Sequence, residues 1–363
     1  MIKVGSDFSG VGAFNQALNR LGLEYDELFA CDMDKYARQT FIHNYGEPKY
    51  YPQNVYEREI PEESLDIYMT SPPCQAFSVA GKRLGKDDKR GILFFNSYEF
   101  IEKNKPRYFI FENVRGLLSD DNGKTFSEWV NMLGGKSVNG LPILFAYEES
   151  VPYHLYWKVL NAKDYGVPQN RERVFLVGIR DDADNNFRFP VEVPLKKKLI
   201  DILEKNVDDK YLLSETMIKG FLNKKEVFAK QFKQSSVDDE YLKCITTKPT
   251  DKVTCNFIKV RSATSKGYEL ATNEDSINYQ QIKSNTRRGR VGKQVAQTLD
   301  TKCEQGVLTE NYRLRKLTPR ECFRLMDFPD TFTWNVSDSQ AYKQVGNSIV
   351  VGVLAKIIEK LKL

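Results

Sequence analysis

Met1-Ile2-Lys3-Val4-Gly5-Ser6-Asp7-Phe8-Ser9-Gly10-Val11-Gly12-Ala13-Phe14-Asn15-Gln16-Ala17-Leu18 opens the chain and decides its fold class. A short apolar run, Met1–Val4, reads as a strand. A glycine-bearing turn follows, and then Ala13, Phe14, Ala17, Leu18 and Leu21 recur at helical spacing. Glycines at a strand-to-helix turn let backbone approach a ligand closely, and the helix start offers unpaired N–H groups. About twenty residues on, Leu28–Cys31 forms a second apolar run ending at Asp32, placed to accept hydrogen bonds from ribose hydroxyls. Such a turn alone fits a tight turn as well as a cofactor site, and the strand-end acid favours a nucleotide-type cofactor. No third glycine follows at the interval a dinucleotide fold uses.

The pattern continues outward from this unit. Leu65–Met69, Tyr108–Phe111 and Val174–Gly178 are further apolar runs separated by amphipathic stretches. They predict an α/β domain with a parallel sheet covered by helices over the first 183 residues. Beyond Arg180 the texture becomes polar, Lys/Asn/Asp-rich and poorly periodic, which predicts a smaller, irregular second domain over residues 184–337. Val350, Val351, Val353, Leu354, Ile357, Ile358 and Leu361 restore helical periodicity, so residues 338–363 are expected to rejoin the first domain.

Composition narrows the classes. The chain has 363 residues, is 41% hydrophobic and 28% charged, and carries a formal charge of +5. That is too apolar for a disordered protein, and no run approaches the length of a membrane span. The N-terminus lacks the apolar segment and cleavage site of a signal peptide, which predicts a cytoplasmic protein. Six cysteines include no Cys-x-x-Cys pair, and the two histidines, His43 and His154, have no metal-ligand spacing. The expectation is no metal, no disulfide framework and no histidine chemistry. Residues 281–320 hold ten Lys or Arg against three Asp or Glu. This local excess suits a polyanionic partner, although a solvated basic face reads the same way.

Ser71-Pro72-Pro73-Cys74-Gln75-Ala76-Phe77-Ser78 follows the third apolar run. Two prolines fix the backbone in a stiff turn that would present Cys74 at the strand's carboxyl end. A lone cysteine is usually a small core residue, but its neighbours here are not core residues. The next stretch, Gly81 to Gly91, is glycine-bounded and basic, with Lys82 and Arg83 early in it; that composition suits a loop closing on a phosphate backbone. Phe111-Glu112-Asn113-Val114 puts a carboxylate at another strand end, where partial burial would raise its pKa. Gln169-Asn170-Arg171-Glu172-Arg173 spaces two arginines by two, toward one face. For either motif a structural salt bridge is the competing reading.

Taken in order, Asp7–Gly12, Pro73-Cys74-Gln75, Glu112-Asn113-Val114, Gln169–Arg173, Leu317-Thr318-Pro319-Arg320-Glu321-Cys322 and Gln344-Val345-Gly346-Asn347-Ser348 resemble the ordered motif set of the DNA cytosine-5 methyltransferase family. The resemblance spans nearly the whole chain except about residues 181–310, where family members carry a variable target-recognition domain. It implies a Rossmann-like, S-adenosylmethionine-dependent catalytic domain, with S-adenosylhomocysteine as product. It implies that Cys74 adds to C6 of a flipped-out cytosine in duplex DNA, that Glu112 holds the N3/N4 edge, that Arg173 binds O2 and that Arg171 orders the thiolate region. Phe8, Gly10, Val11, Gly12, Asp32, Met33, Asn54, Pro73, Leu93 and Asn347 would line the cofactor site. Asn54 stands where the family has an aspartate, and Met33 takes a place often aromatic. Gln75, Ser78, Lys82 and Arg83 would face DNA, while Arg320, Glu321 and Arg324 look like structural braces.

Two rivals share these motifs. A tRNA-cytosine methyltransferase of the same family would carry a Cys-Phe-Thr signature, whose closest counterpart here is Cys244-Ile245-Thr246. A non-catalytic DNA-binding protein on a decayed scaffold would not need Cys74, Glu112, Arg171 and Arg173 together. The reading therefore expects a monomer acting on double-stranded DNA, nucleoid-associated when bound, with no membrane role. A cognate restriction endonuclease would lie outside this chain. Ser284 to Gly292 packs Arg287, Arg288 and Arg290 among small residues. This strip predicts that at least one of the three arginines contacts DNA, against the alternative of a solvated loop.

Overall fold

The computed structural model describes residues 1–73, 92–183, 186–214, 217, 258–272, 275–281, 284, 286–308 and 314–363. Its centre is one eight-stranded sheet. The strands are β1 (Ile2–Asp7), β2 (Tyr25–Cys31), β3 (Ile67–Thr70), β4 (Tyr108–Val114), β5 (Ser137–Val138), β6 (Leu141–Pro142), β7 (Tyr153–Asn161) and β8 (Glu172–Arg180). They lie in the order β2-β1-β3-β4-β8-β7-β5-β6. The first four are mutually parallel, as the alternation of apolar runs and helices predicts.

The expectation of a parallel sheet fails at β8. It runs antiparallel to both β4 and β7, so the sheet is mixed. β7 escaped the sequence reading because its residues, Tyr-His-Leu-Tyr-Trp-Lys-Val-Leu-Asn, are only intermittently buried. The consequence is useful chemistry: a strand entering the sheet antiparallel brings its first residues, not its last, to the carboxyl rim. Arg173 at the start of β8 is therefore in register with Val114 at the end of β4.

Successive side chains of a strand face opposite sides, and both sides of this sheet are covered. Val4, Ile67, Met69, Ile110, Phe175 and Val177 pack with Phe14, Ala17 and Leu18 of helix α1 (Ala13–Arg20) in one apolar cluster. The other face buries Phe29, Tyr68, Phe109, Phe111 and Leu176 against helix α3 (Ile92–Asn104) and helix α4 (Lys124–Leu133). Phe94 of α3 stacks on Trp129 of α4 with ring centroids 4.2 Å apart. Helix α2 (Lys35–Tyr45) starts just after β2, capped by the Asp34 side chain on Tyr36 N and Ala37 N.

Residues 258–316 make antiparallel pairings. β9 (Ile258–Arg261) pairs with β10 (Tyr268–Ala271), and β11 (Ser276–Asn278), β12 (Val291–Gly292), β13 (Gln305–Leu308) and β14 (Leu314–Lys316) form a four-stranded sheet. Val260, Ala271, Ile277, Tyr279, Val291, Leu308 and Leu314 give this part its own small core. Helix α5 (Pro319–Leu325) begins in a capping box: Thr318 accepts from Glu321 N while Glu321 accepts from Thr318 N. Glu321 is fully buried and grips Arg315 through two bonds of 2.7 and 2.8 Å, the structural bracing expected of this motif. The C-terminal periodicity resolves into two helices, α6 (Asp338–Asn347) and α7 (Val351–Ile358). α7 joins the cluster of α1 and the large sheet.

Candidate active site

The carboxyl rim of β1, β2 and β4 carries Phe8, Gly10, Val11, Gly12, Asp32, Met33 and Glu112 of the expected site residues, and the start of β8 brings Arg173 to it. The turn after β1 bends through positive φ at Phe8 (58°), Gly10 (56°) and Gly12 (82°). A phenylalanine in that region is uncommon and costs free energy of order 1–3 kcal/mol, an expense that concentrates at functional sites. Neighbours hold the turn in place: Ser9 N donates to Cys31 O at 2.9 Å, and Gly10 N donates to Asp32 Oδ2 at 2.8 Å. Gly12 is also forced by space, since a Cβ there would stand 2.3 Å from the Tyr45 ring. At Gly10 a Cβ would meet nothing within 4 Å among the described residues, so the turn faces open space there. Gly12 caps α1 without a side-chain bond, so no capping side chain satisfies the first N–H groups of the helix.

Asp32 accepts from Gly10 N and Asp34 N through different oxygens, and each oxygen keeps a second lone pair for a hydroxyl. Burial raises its pKa against the pull of those N–H bonds. Met33 lies 84% exposed beside it, an uncovered apolar surface. Val11 is buried, Leu93 half-buried and Asn347 exposed at the end of α6. Asn54 is engaged locally: Oδ1 accepts from Tyr56 N at 3.1 Å and Nδ2 donates to Glu57 at 3.1 Å. One lone pair of its oxygen remains for a ligand.

Asp7 turns inward instead. It is buried, 3.1 Å from Arg58 Nε and accepting from Tyr68 Oη at 2.6 Å. Burial raises the Asp7 pKa, and Arg58 and Tyr68 oppose the rise. Arg58 was invisible in the sequence, a single arginine in a polar stretch. Its guanidinium lies over the Phe100 ring at 4.6 Å, so it stiffens the rim from below.

The second half of the site is the end of β4. Glu112 is 7% exposed and lies 3.1 Å from Arg173 Nε as an ion pair without hydrogen-bond alignment. Burial raises its pKa, with Arg173 and then Arg171 pulling the other way. A carboxyl so placed holds its proton more readily than an exposed one. Next along, Asn113 Nδ2 donates to Pro72 O at 3.2 Å, tying the exit of β3 to β4. Pro73 is exposed at the end of that tether. Cys74, Gln75, Ser78, Lys82 and Arg83 lie outside the described residues.

The two arginines of the Gln169–Arg173 motif diverge in role. Arg173 meets Glu112, whereas Arg171 is buried with its guanidinium on backbone carbonyls of Leu299, Gly346 and Ser348 at 2.8–2.9 Å. The basic strip also divides. Arg288 is exposed, with Nε donating to Ala263 O at 2.9 Å, and Arg287 is half-buried. Arg290, expected on a DNA-facing surface, is instead 0% exposed, donating to the carbonyls of Asn278, Gln280 and Gln281. Spacing could not separate it from Arg288; the strand β12 that begins at Val291 turns it into the small core. Among the described residues no group of His, Cys, Asp or Glu could hold a metal, and no helix is long and apolar enough to cross a membrane.

The family model for C-5 cytosine-specific DNA methylase matches residues 2–363. The type II methyltransferase M.SsoII of Shigella sonnei is 33% identical over 362 residues, covering 98% of this chain and 78% of that protein. The type II methyltransferase M.HhaI of Haemophilus parahaemolyticus is 30% identical over 357 residues, covering 96% of this chain and 91% of that one. Among solved structures, S. pombe Dnmt2 methyltransferase superposes with a TM-score of 0.59 at 20% identity, covering 99% of this chain and 97% of the other. A putative DNA modification methyltransferase encoded within an E. coli prophage gives 0.61 at 19% identity, covering 99% of both. At those identities the structures speak to the fold alone.

Proposed function

The chain belongs to the C-5 cytosine-specific DNA methylase family, and on that premise we propose which of its residues carry the reaction. The enzyme transfers a methyl group from S-adenosylmethionine to C5 of cytosine in DNA, through a covalent adduct at C6. When bound, the cofactor supplies an electrophilic methyl on a sulfonium. The residues fit it: the open face of Gly10, the free helix start after Gly12 and the Asp32 carboxylate match a nucleoside with an amino-acid tail. Phe8, Val11, Met33, Asn54, Pro73, Leu93 and Asn347 complete the lining.

Cytosine C5 is a weak nucleophile until C6 is saturated. The Cys74 thiolate adds to C6, forming a C–S bond and pushing the ring's π electrons toward C5 and N3. Glu112, with its raised pKa, shares its proton with N3 as negative charge develops there. Arg173 balances the carboxylate and meets O2. After C5 takes the methyl, loss of the C5 proton to a water molecule returns the C–H electron pair to the ring and expels Cys74 as thiolate. A base inside a duplex cannot reach these groups, so it is flipped out, and the loop bearing Lys82 and Arg83 closes over it. Gln75 and Ser78 accompany Cys74 at the DNA face. Residues 258–316 lie within the recognition part of the chain, with Arg287 and Arg288 at the duplex.

One observation carries this reading. Glu112 pairs with Arg173 at the end of β4, and the next residue, Asn113, tethers the Pro72 carbonyl, two residues before Cys74. Expressing the chain in cells lacking 5-methylcytosine and sequencing their genome for the modified base tests it and maps the site. A duplex with 5-fluorocytosine at that site should form a denaturation-resistant adduct, because fluorine does not leave as a cation. Absence of both the modification and the adduct overturns the proposal.

A further inference from the structure

The Arg171 guanidinium joins three parts of the chain that sequence keeps far apart. Nη1 donates to Leu299 O at 2.8 Å, while Nη2 donates to Gly346 O at 2.9 Å and Ser348 O at 2.8 Å. Gly346 and Ser348 flank Asn347, the cofactor-side residue at the end of α6. Leu299 lies on a strap, Ala296–Leu299, that is laced to the loop leading into β8. Ala296 N donates to Pro168 O at 2.8 Å, and Asn170 N donates back to Ala296 O at 2.7 Å. Thr298 Oγ1 donates to Asn170 O at 2.7 Å, and Leu299 N donates to the buried Gln169 Oε1 at 3.2 Å.

Both ends of this joint lead to a binding surface. On the cofactor side, α6 is fastened to the start of α2, immediately beyond Asp32. Gln344 Nε2 donates to Tyr36 O at 2.9 Å, Thr40 donates to Gln344 Oε1 at 3.1 Å, and Lys343 pairs with Asp34 at 2.6 Å. On the other side, Val295 O accepts from Ser276 Oγ at 2.8 Å, so the strap is continuous with the sheet of β11 and β12. The contact between α6 and the strap is close: a Cβ on Gly346 would stand 2.4 Å from the Asp300 carbonyl.

We propose that Arg171 is a positioning residue that couples cofactor binding to DNA binding, with the strap Ala296–Leu299 as the moving part it clamps. This rests on the function proposed above. The guanidinium is the one side-chain cation whose planar fork holds carbonyls in two directions at once; an ammonium has the charge without the span. When the cofactor firms the Gly346–Ser348 turn, Arg171 carries that order to Leu299, and the recognition sheet meets DNA already aligned with Arg173. Linkage then requires that DNA tighten the cofactor by the same factor.

The test measures affinity for S-adenosylhomocysteine with and without a short duplex carrying the mapped site, and duplex affinity with and without S-adenosylhomocysteine. In the wild type each ligand should tighten the other about tenfold, within the usual range of such couplings. Arg171→Lys should reduce that factor to less than about twofold. Gly346→Ala, which wedges α6 from the strap and leaves Arg171 intact, should do the same. In unaltered protein, S-adenosylhomocysteine alone should slow amide exchange across residues 296–301, a measurement that survives any variant's failure to fold. Undiminished coupling in either folded variant, no coupling in the wild type, or no change in exchange at the strap overturns the inference. A chain that binds no S-adenosylhomocysteine at all fails earlier, at the proposed function.

Discussion

Glu27 lies in mid-β2, opposite Val4 of β1, with the Asn15 amide 2.9 Å away as its hydrogen-bond partner and, among the described residues, no cation paired with it. Burial pushes its carboxyl up from an ordinary 4.5 to about 7, and the Asn15 bond opposes the rise only in part. The folded chain therefore holds this proton more tightly than the unfolded chain does. Between pH 4.5 and 7 the native state binds more protons, so stability falls as pH rises. It is full below the unfolded value and lost by the folded one. At about 1.4 kcal/mol for each pH interval of one, the loss attributable to Glu27 approaches ~3 kcal/mol. Glu27→Gln removes the ionisation, keeps an oxygen for Asn15 Nδ2 and offers an amide to Asn15 Oδ1, which is buried without a partner. Urea unfolding of both proteins at pH 5, 6, 7 and 8 isolates the effect, because every other titrating group cancels in the difference. The variant should gain about 2–3 kcal/mol on the wild type between pH 5 and 8. A difference that stays flat across that range would refute the argument.

Other perturbations have equally definite outcomes. Glu321→Ala leaves Arg315 buried without its partner and strips the acceptor from Thr318 N and Glu204 N; it should cost about 3–5 kcal/mol, read by thermal or urea denaturation. Gly12→Ala forces a Cβ against Tyr45 at a backbone angle that disfavours one, and calorimetry should show S-adenosylhomocysteine bound at least about tenfold more weakly. Arg288→Ala should weaken DNA binding and lower the salt slope by about 1 in filter binding or fluorescence anisotropy. Arg290→Met should instead leave three carbonyls without a donor and lower stability by about 1–3 kcal/mol, with an unchanged salt slope.

What the sequence disclosed is what local geometry demands of particular residue types. A positive φ calls for Gly10 and Gly12, two prolines stiffen the exit of β3, and a carboxylate closing an apolar run marks a rim, so the turn and Glu112 were legible. Strand direction is not written in a strand's own residues. Val174–Gly178 alternates the same way whether its neighbour is parallel or antiparallel, and only the short path through β7 reverses it. Partners far along the chain were equally hidden. Arg171 meets carbonyls 128, 175 and 177 residues away, and nothing near it in sequence announces them. Arg288 and Arg290 share one local composition, yet the start of β12 sends one to solvent and the other to the core.

The packing of α7 against α1 has a consequence for how such a chain can change. Arg20 of α1 meets Asp327, and the Tyr108 hydroxyl in β4 donates to Lys362 O at 2.9 Å, so the two ends of the chain are sewn into one body. The recognition segment is an excursion from that body, leaving after Arg180 and returning after β14 at Leu317, with the strap at Ala296 inside it. Closing a longer excursion costs little, about 0.6 kcal/mol for each doubling of its length. A lineage can thus lengthen, shorten or replace the reading head as a cassette, provided the strap still presents the Leu299 carbonyl to Arg171.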